Sequence, residues 1–213
     1  MHIETERLRL RVWEPADRGQ FATLNADPTV MKDLGGPLSR ADSDAKLDRY
    51  LMAWRSTGYG RWLVETLGGT FLGYCGVMPA PEGHPLGAHD EIGWRLVREA
   101  WGHGYATEAA RAALVDVFRR VRLPEVLAYT DAANIRSQAV MGRLGLRRDP
   151  SRDFSIHSDR LGAWRGLVWA ARENRFGLST EAAGQAPCPS PPAPRGAGGS
   201  RSGGPPGPAG ACA

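Results

Sequence analysis

The stretch with the clearest chemical content is EIGWRLVREAWGHGYATEAARAAL, residues 91–114. A strand-like run, Glu91–Val97, leads into Trp101-Gly102-His103-Gly104-Tyr105, which opens the most regular helical pattern in the chain. Glycines without a Cβ let backbone N–H groups converge, and a helix N-terminus adds a field that favours negative charge. Such a turn suits a phosphate or pyrophosphate. An ordinary strand-to-helix connection would use the same residues, so both readings stand at this level. The pattern is neither G-x-G-x-x-G with a following acidic residue nor G-K-S/T, which disfavours a dinucleotide fold and a P-loop. A second polar pair follows: Asn134 can cap a helix, and Ser137 lies three positions later, so both can face one groove.

The elements that must position these residues can be read from periodicity. Leu8, Leu10 and Val12 alternate with Arg7, Arg9 and Arg11, which predicts a half-buried strand. Pro15 and Asp17 favour a short helix that turns Phe21 and Leu24 inward. A second helix starts after Ser39, carries Leu47, Tyr50, Leu51 and Trp54 at spacings of three and four, and stops by Gly58. Strands follow at Arg61–Thr66 and Phe71–Met78 around the Gly68-Gly69 turn, with Gly73 and Gly76 suggesting close packing or a bulge. After the loop Pro79–Asp90 and the 91–97 strand, Tyr105–Val121 reads as an amphipathic helix with Ala106, Ala110, Ala113, Val117 and Val121 on one stripe. The remainder predicts a strand at Val126–Thr130, a helix from Asn134 to Gly145 with Val140 and Leu144 inward, and a last strand including Leu167–Ala171. Hairpins early and strand–helix units late imply an α/β chain of mixed α+β type. Its twisted mixed sheet is flanked by helices rather than doubly wound.

Composition bounds the rest. Of 213 residues, the last 37 hold 9 Gly and 8 Pro, and every Trp, Tyr and Phe lies before Gly177. We therefore expect one domain over residues 1–176 and a disordered tail over 177–213. A net charge of +4 spread among acidic residues gives no basic patch, so neither DNA nor RNA is expected as a partner. Of the 27 basic residues only Lys32 and Lys46 are lysines. Cys75, Cys188 and Cys212 form no metal or disulfide spacing. No metal is expected. Without a secretory or membrane-length apolar run, the expected location is the cytoplasm, away from any membrane.

Three separated blocks carry a family resemblance: TERLRLRVWEPAD with LNADPTVM, the 91–114 block, and TDAANIRSQAVMGRLGLRRD. In order and spacing they resemble the GNAT superfamily of N-acetyltransferases, near the branch of ribosomal-protein-alanine N-acetyltransferases, over residues 3 to 149. The resemblance implies acetyl-CoA bound in a V-shaped opening between two splayed parallel strands, here Glu91–Val97 and Val126–Thr130. It implies pantetheine pairing with backbone around Leu96 and Val97. The pyrophosphate would lie on the N–H groups of Gly102, His103, Gly104, Tyr105, Ala106 and Thr107. It also implies Asn134 holding pantetheine and Ser137 near the thioester sulfur. The family's Gln/Arg-x-x-Gly-x-Gly/Ala motif starts here at Glu99 instead. An acid tyrosine four residues after Ser137 is replaced by Met141, which leaves Ser137, directly or through water, to protonate the thiolate.

The implied activity is acetyl-CoA-dependent transfer to a primary amine of a small molecule or a protein N-terminus. A CoA-binding regulatory or structural role is the alternative. Glu91 is the first choice for the general base, with Glu65, Asp90, His84 and His89 as others. Asn25, Asp27, Met31 and the loop Pro79–Asp90 are expected to frame the acceptor, with Trp94 and Trp101 bounding the groove or lying in the core. A homodimer is common among such proteins.

Overall fold

The computed structural model describes residues 1–158, 162–173 and 176. The expected tail over 177–213 lies outside the described residues.

Alternation sets the first hairpins. Strand β1 (His2–Glu4) pairs antiparallel with β2 (Leu8–Arg11), whose Leu8 and Leu10 are fully buried. Pro15–Asp17 forms one 3-10 turn that runs into α1 (Arg18–Ala26), and Asp27 caps the single-turn α2 (Pro28–Met31) through the N–H groups of Thr29 and Val30. Helix α3 (Arg40–Thr57) begins at the Ser39 cap and ends at Gly58 in the left-handed region, as the sequence predicts. Strand β3 (Arg61–Thr66) pairs with β2 and β4 (Phe71–Pro79), and β4 pairs with β5 (Asp90–Leu96).

Helix α4 (Tyr105–Asp116) is shorter than its apolar stripe predicts, because the chain widens into a π-helical turn over Val117–Val121 before Arg122 turns left-handed. Strand β6 (Val126–Thr130) and α5 (Ile135–Arg143) follow where expected. The chain closes with β7 (Arg147–Arg148), β8 (Phe154–Ser158) and β9 (Gly162–Ala171).

The sheet order is β1-β2-β3-β4-β5-β6-β9-β7, with β8 pairing the first half of β9. Every pairing is antiparallel except β5 with β6. This is the mixed sheet flanked by helices that the sequence implies.

The two faces separate cleanly. Ala109, Ala110, Ala113 and Leu114 of α4 pack with Val64, Cys75, Ile92 and Leu96 on one face. Phe21 and Leu24 of α1 and Leu47 and Tyr50 of α3 pack with Leu63 and Tyr74 on the other. A bulge between Val64 and Glu65, opposite Gly73, bends β4. The strands approach so closely here that a Cβ on Gly73 would meet the Arg95 carbonyl oxygen and, at 2.8 Å, Leu96 Cα. The Cys75 thiol, fully buried on the α4 face, has its pKa pushed up to about 12 by that burial.

Candidate active site

Strands β5 and β6 pair only where Glu91 stands opposite Leu127. Toward Leu96 and Thr130 they part, and the opening lies beside the glycine turn. Val97 N–H donates to the Leu72 carbonyl and Val97 C=O accepts from Ala100, so both its backbone groups are engaged. Because antiparallel pairing alternates, the backbone of the preceding Leu96 faces away from β4 and toward the opening. The Leu96 carbonyl accepts a 2.9 Å hydrogen bond from the Trp101 indole, and the Arg136 guanidinium of α5 stacks 4.2 Å above the Trp101 ring.

Gly102 and Gly104 have φ of 81° and 82°. Gly104 is the N-cap of α4 and offers no side chain to its first-turn N–H groups, which leaves them for an anion. Thr107 Oγ1, one turn in, is buried without a hydrogen-bond partner. A chain with uncapped N–H groups, open space beyond Gly102 and an orphaned hydroxyl fits a pyrophosphate. His103 and Tyr105 stack at 5.7 Å with ring planes 28° apart, and Ala106 lies in the same first turn.

Arg7, in the β1–β2 connection, braces the turn from outside by donating to the His103 carbonyl at 3.0 Å and pairing with Glu108. Burial works against the Glu108 charge, yet bonds from Thr5 and Arg7 hold its pKa below the ordinary carboxylate value. Sequence reading missed this brace, which joins residues a hundred positions apart. Glu108→Gln should weaken acetyl-CoA binding about three- to tenfold with kcat little changed, a loss equivalent to one charge-assisted bond; steady-state kinetics against acetyl-CoA would check it. A cavity of about 460 Å³ adjoins the turn on its β4 side, but none of its walls comes from β6 or α5.

Across the opening, Asn134 caps α5 by accepting from Ser137 N–H at 3.1 Å. Ser137 is half-buried in that first turn. Met141 is buried in the core, so its position supplies no proton.

The sheet face opposite α4 holds the polar groups. Glu91 has both carboxylate oxygens engaged: Arg61 donates to Oε1 and the Tyr129 phenol donates to Oε2. His84 and His89 pack within 5.1 and 5.9 Å of the Tyr129 ring. His89 Nδ1 donates to the Gly87 carbonyl at 2.9 Å, and its Nε2 is buried without a hydrogen-bond partner. Burial, then the neighbouring His89, lowers the His84 pKa. Asp90 accepts from the Tyr59 phenol at 2.6 Å, and Glu65 pairs with Arg9 and Arg11, which removes both from the opening. Trp94 is partly buried against the α4-side core.

Further along the same face, Asn25 is fully buried, its amide donating to Phe21 O and Ser43 Oγ. Its Oδ1 accepts from Lys46 Nζ at 3.4 Å and from Arg95 at 3.2 Å. Two cations bonded to one oxygen lie within about 7 Å of each other and repel by roughly 2–3 kcal/mol at an effective dielectric of about 20. Lys46 also donates to the Tyr74 phenol at 3.2 Å and lies 5.3 Å from that ring. Burial opposes ionisation of Tyr74, but Arg95 and Lys46 outweigh it and bring its pKa well below the ordinary phenol value. Burial, with Arg95, also lowers the Lys46 pKa. Met31, expected at the acceptor surface, is instead buried with its sulfur 2.9 Å from Arg95, and Asp27 is occupied as a cap.

Among the described residues no helix is long and apolar enough to cross a membrane, and no group of three His, Cys, Asp or Glu could hold a metal ion.

The chain is similar to known proteins in sequence and fold. The Acetyltransferase (GNAT) domain family matches residues 7–147. An uncharacterized protein, YkkB, of Bacillus subtilis (strain 168) is 34% identical over 151 residues, covering 68% of this chain and 84% of that protein. The FsC-acetyl coenzyme A-N(2)-transacetylase of Aspergillus fumigatus is 32% identical over 152 residues, covering 68% of this chain and 64% of its own length. Among solved structures, the acetyltransferase from Agrobacterium tumefaciens str. C58 superposes with a TM-score of 0.69 at 28% identity, covering 81% of this chain and 95% of that one. With its parted parallel strands, uncapped glycine turn and these relatives, the chain belongs to the GNAT family of acetyltransferases.

Proposed function

We propose that the protein transfers the acetyl group of acetyl-CoA to a primary amine, on a small molecule or a protein N-terminus. The parting of β5 and β6 beside the uncapped Gly102–Gly104 turn carries this reading. Acetyl-CoA supplies a thioester whose carbonyl carbon bonds to the amine nitrogen as the carbon–sulfur bond breaks. The first-turn N–H groups of α4 hold the pyrophosphate, and the Leu96 backbone lies along the pantetheine arm. Asn134 sets the first turn of α5, which presents the Ser137 hydroxyl to the departing thiolate.

The acceptor approaches from the face opposite α4. Glu91, with both oxygens engaged, holds Tyr129 and Arg61 in place. On the same face His89 Nε2, which has no hydrogen-bond partner, is the group to take the proton that the nitrogen releases.

Amine-dependent release of CoA thiol, with product mass, tests the reading; acetyl-CoA consumption that no amine accelerates would defeat it. Within it, Ser137→Ala should lower kcat about ten- to one-hundredfold, the range of one general acid's contribution at its lower end, and leave acetyl-CoA affinity nearly unchanged. Single-turnover rates would show whether the chemical step is the one slowed.

A further inference from the structure

The face that receives the amine holds a charge imbalance that the transfer reaction itself does not use. Several arginines near the sheet are neutralised: Arg61 by Glu91, Arg7 by Glu108, Arg11 by Asp17, Arg148 by Asp153 and Arg152 by Glu125. Lys46 and Arg95 are different. Among the described residues neither has a carboxylate within salt-bridge distance, and they converge on the neutral oxygen of Asn25. Arg95 Nε is buried with no partner at all. Even with the Tyr74 phenol ionised, the cluster keeps one surplus positive charge.

Its position is as informative as its charge. Arg95 immediately precedes Leu96, whose backbone faces the opening between β5 and β6, and pairs in register with Tyr74 on the face opposite α4. Lys46 reaches it from α3, with its ammonium 6.0 Å from the Phe21 and Tyr50 rings and 5.3 Å from that of Tyr74. Both cations keep part of their surface exposed, whereas Asn25, Tyr50 and Tyr74 behind them are buried. A buried polar wall beside two cations that lack a carboxylate partner is suited to an anion.

We propose that Lys46 and Arg95 form the subsite for a carboxylate carried by the acceptor, so that the preferred substrates are primary amines bearing an acid group. This rests on the acetyl-transfer reading, since it places the carboxylate on the side from which the amine arrives. The guanidinium and ammonium would each donate to the carboxylate. Its charge would take the place of the counterion the cluster lacks.

The test compares matched acceptors with and without the acid group, their rates referred to the neutral amine: glycine with glycinamide, β-alanine with β-alaninamide, and an N-terminal peptide with Asp or Asn at its second position. The acid member of at least one pair should have a kcat/KM roughly ten- to one-hundredfold above its amide, the ratio that charge-assisted bonds supply. The pair that shows it separates a free amino acid from a peptide as the source of the acid. In Arg95→Met and Lys46→Met the ratio should fall toward one, and in Arg95→Lys it should recover in part. Thermal unfolding of each variant separates loss of the subsite from loss of the fold.

Equal rates for acid and amide in every pair, or a preference intact in both methionine variants, overturns the proposal. If no amine is acetylated, the transfer reading has failed, and titration of the tyrosines by ultraviolet absorbance with and without succinate decides the subsite alone. Bound succinate neutralises the cations, so the lowest-titrating phenol should move up in pH, and not do so in Lys46→Met. An unmoved titration would overturn the subsite as well.

Discussion

Replacing Arg61 by alanine is expected to destabilise the protein by about 3–5 kcal/mol, the range for removing one partner of a buried ion pair. Its side chain is only 6% exposed, and its guanidinium donates to the Gly76 and Glu91 carbonyls as well as to the Glu91 carboxylate. The alanine variant leaves these acceptors unpaired in a site that water cannot readily fill. For a domain of this size the loss corresponds to a fall of roughly 10 °C in Tm. The backbone at Arg61 is pinned too, since the indoles of Trp13 and Trp54 both donate to its carbonyl. Differential scanning calorimetry of Arg61→Ala beside Arg61→Lys would check the size of the effect. A drop below about 1 kcal/mol would mean that the charge is compensated elsewhere.

Gly73→Ala should be comparably damaging for a different reason. The new methyl has no room against the Arg95 carbonyl, and φ of 137° is itself strained for a side-chain-bearing residue. Overpacking and backbone strain together come to about 3–5 kcal/mol. The displaced segment is the one that turns Leu96 toward the opening, so acetyl-CoA affinity should fall with stability. Gly102→Ala is the matched control. Its φ is also left-handed, yet nothing lies within 4 Å of the added atom, so its stability loss should be near 1 kcal/mol. Urea unfolding of the two variants would separate collision from conformational strain.

Much of the frame was legible because local chemistry states it. Ser39 and Gly58 bracket α3, Asn134 caps α5, and glycines mark the turn before α4, each through a requirement satisfied within a few residues. Strand β1, the two-residue β7 and β8 escaped because they are too short or too irregular to show a period, and they exist by pairing with β2 and β9. The site's wiring escaped for a related reason. Glu91 meets Arg61 and Tyr129, and Lys46 meets Tyr74, only once strand register and sheet face are fixed. The widening of α4 at Val117 likewise leaves its apolar stripe unbroken, so periodicity carries no mark of it.

The paired glycines Gly76 and Gly93 have a consequence for how such a protein diversifies. A side chain at Gly93 would press on the Arg61 guanidinium at 3.0 Å, and one at Gly76 would run into the Gly60 carbonyl and, at 2.9 Å, Arg61 Cα. Under the proposed reading this strip is the floor beneath the acceptor, and substitutions on it are penalised through stability before any new specificity can be tested. The walls are not so constrained. Lys46 on α3 and the 80–89 loop reach the same space from elements whose neighbours can adjust. Libraries aimed at new acceptors belong on those walls, and natural relatives that acetylate different amines should differ there first.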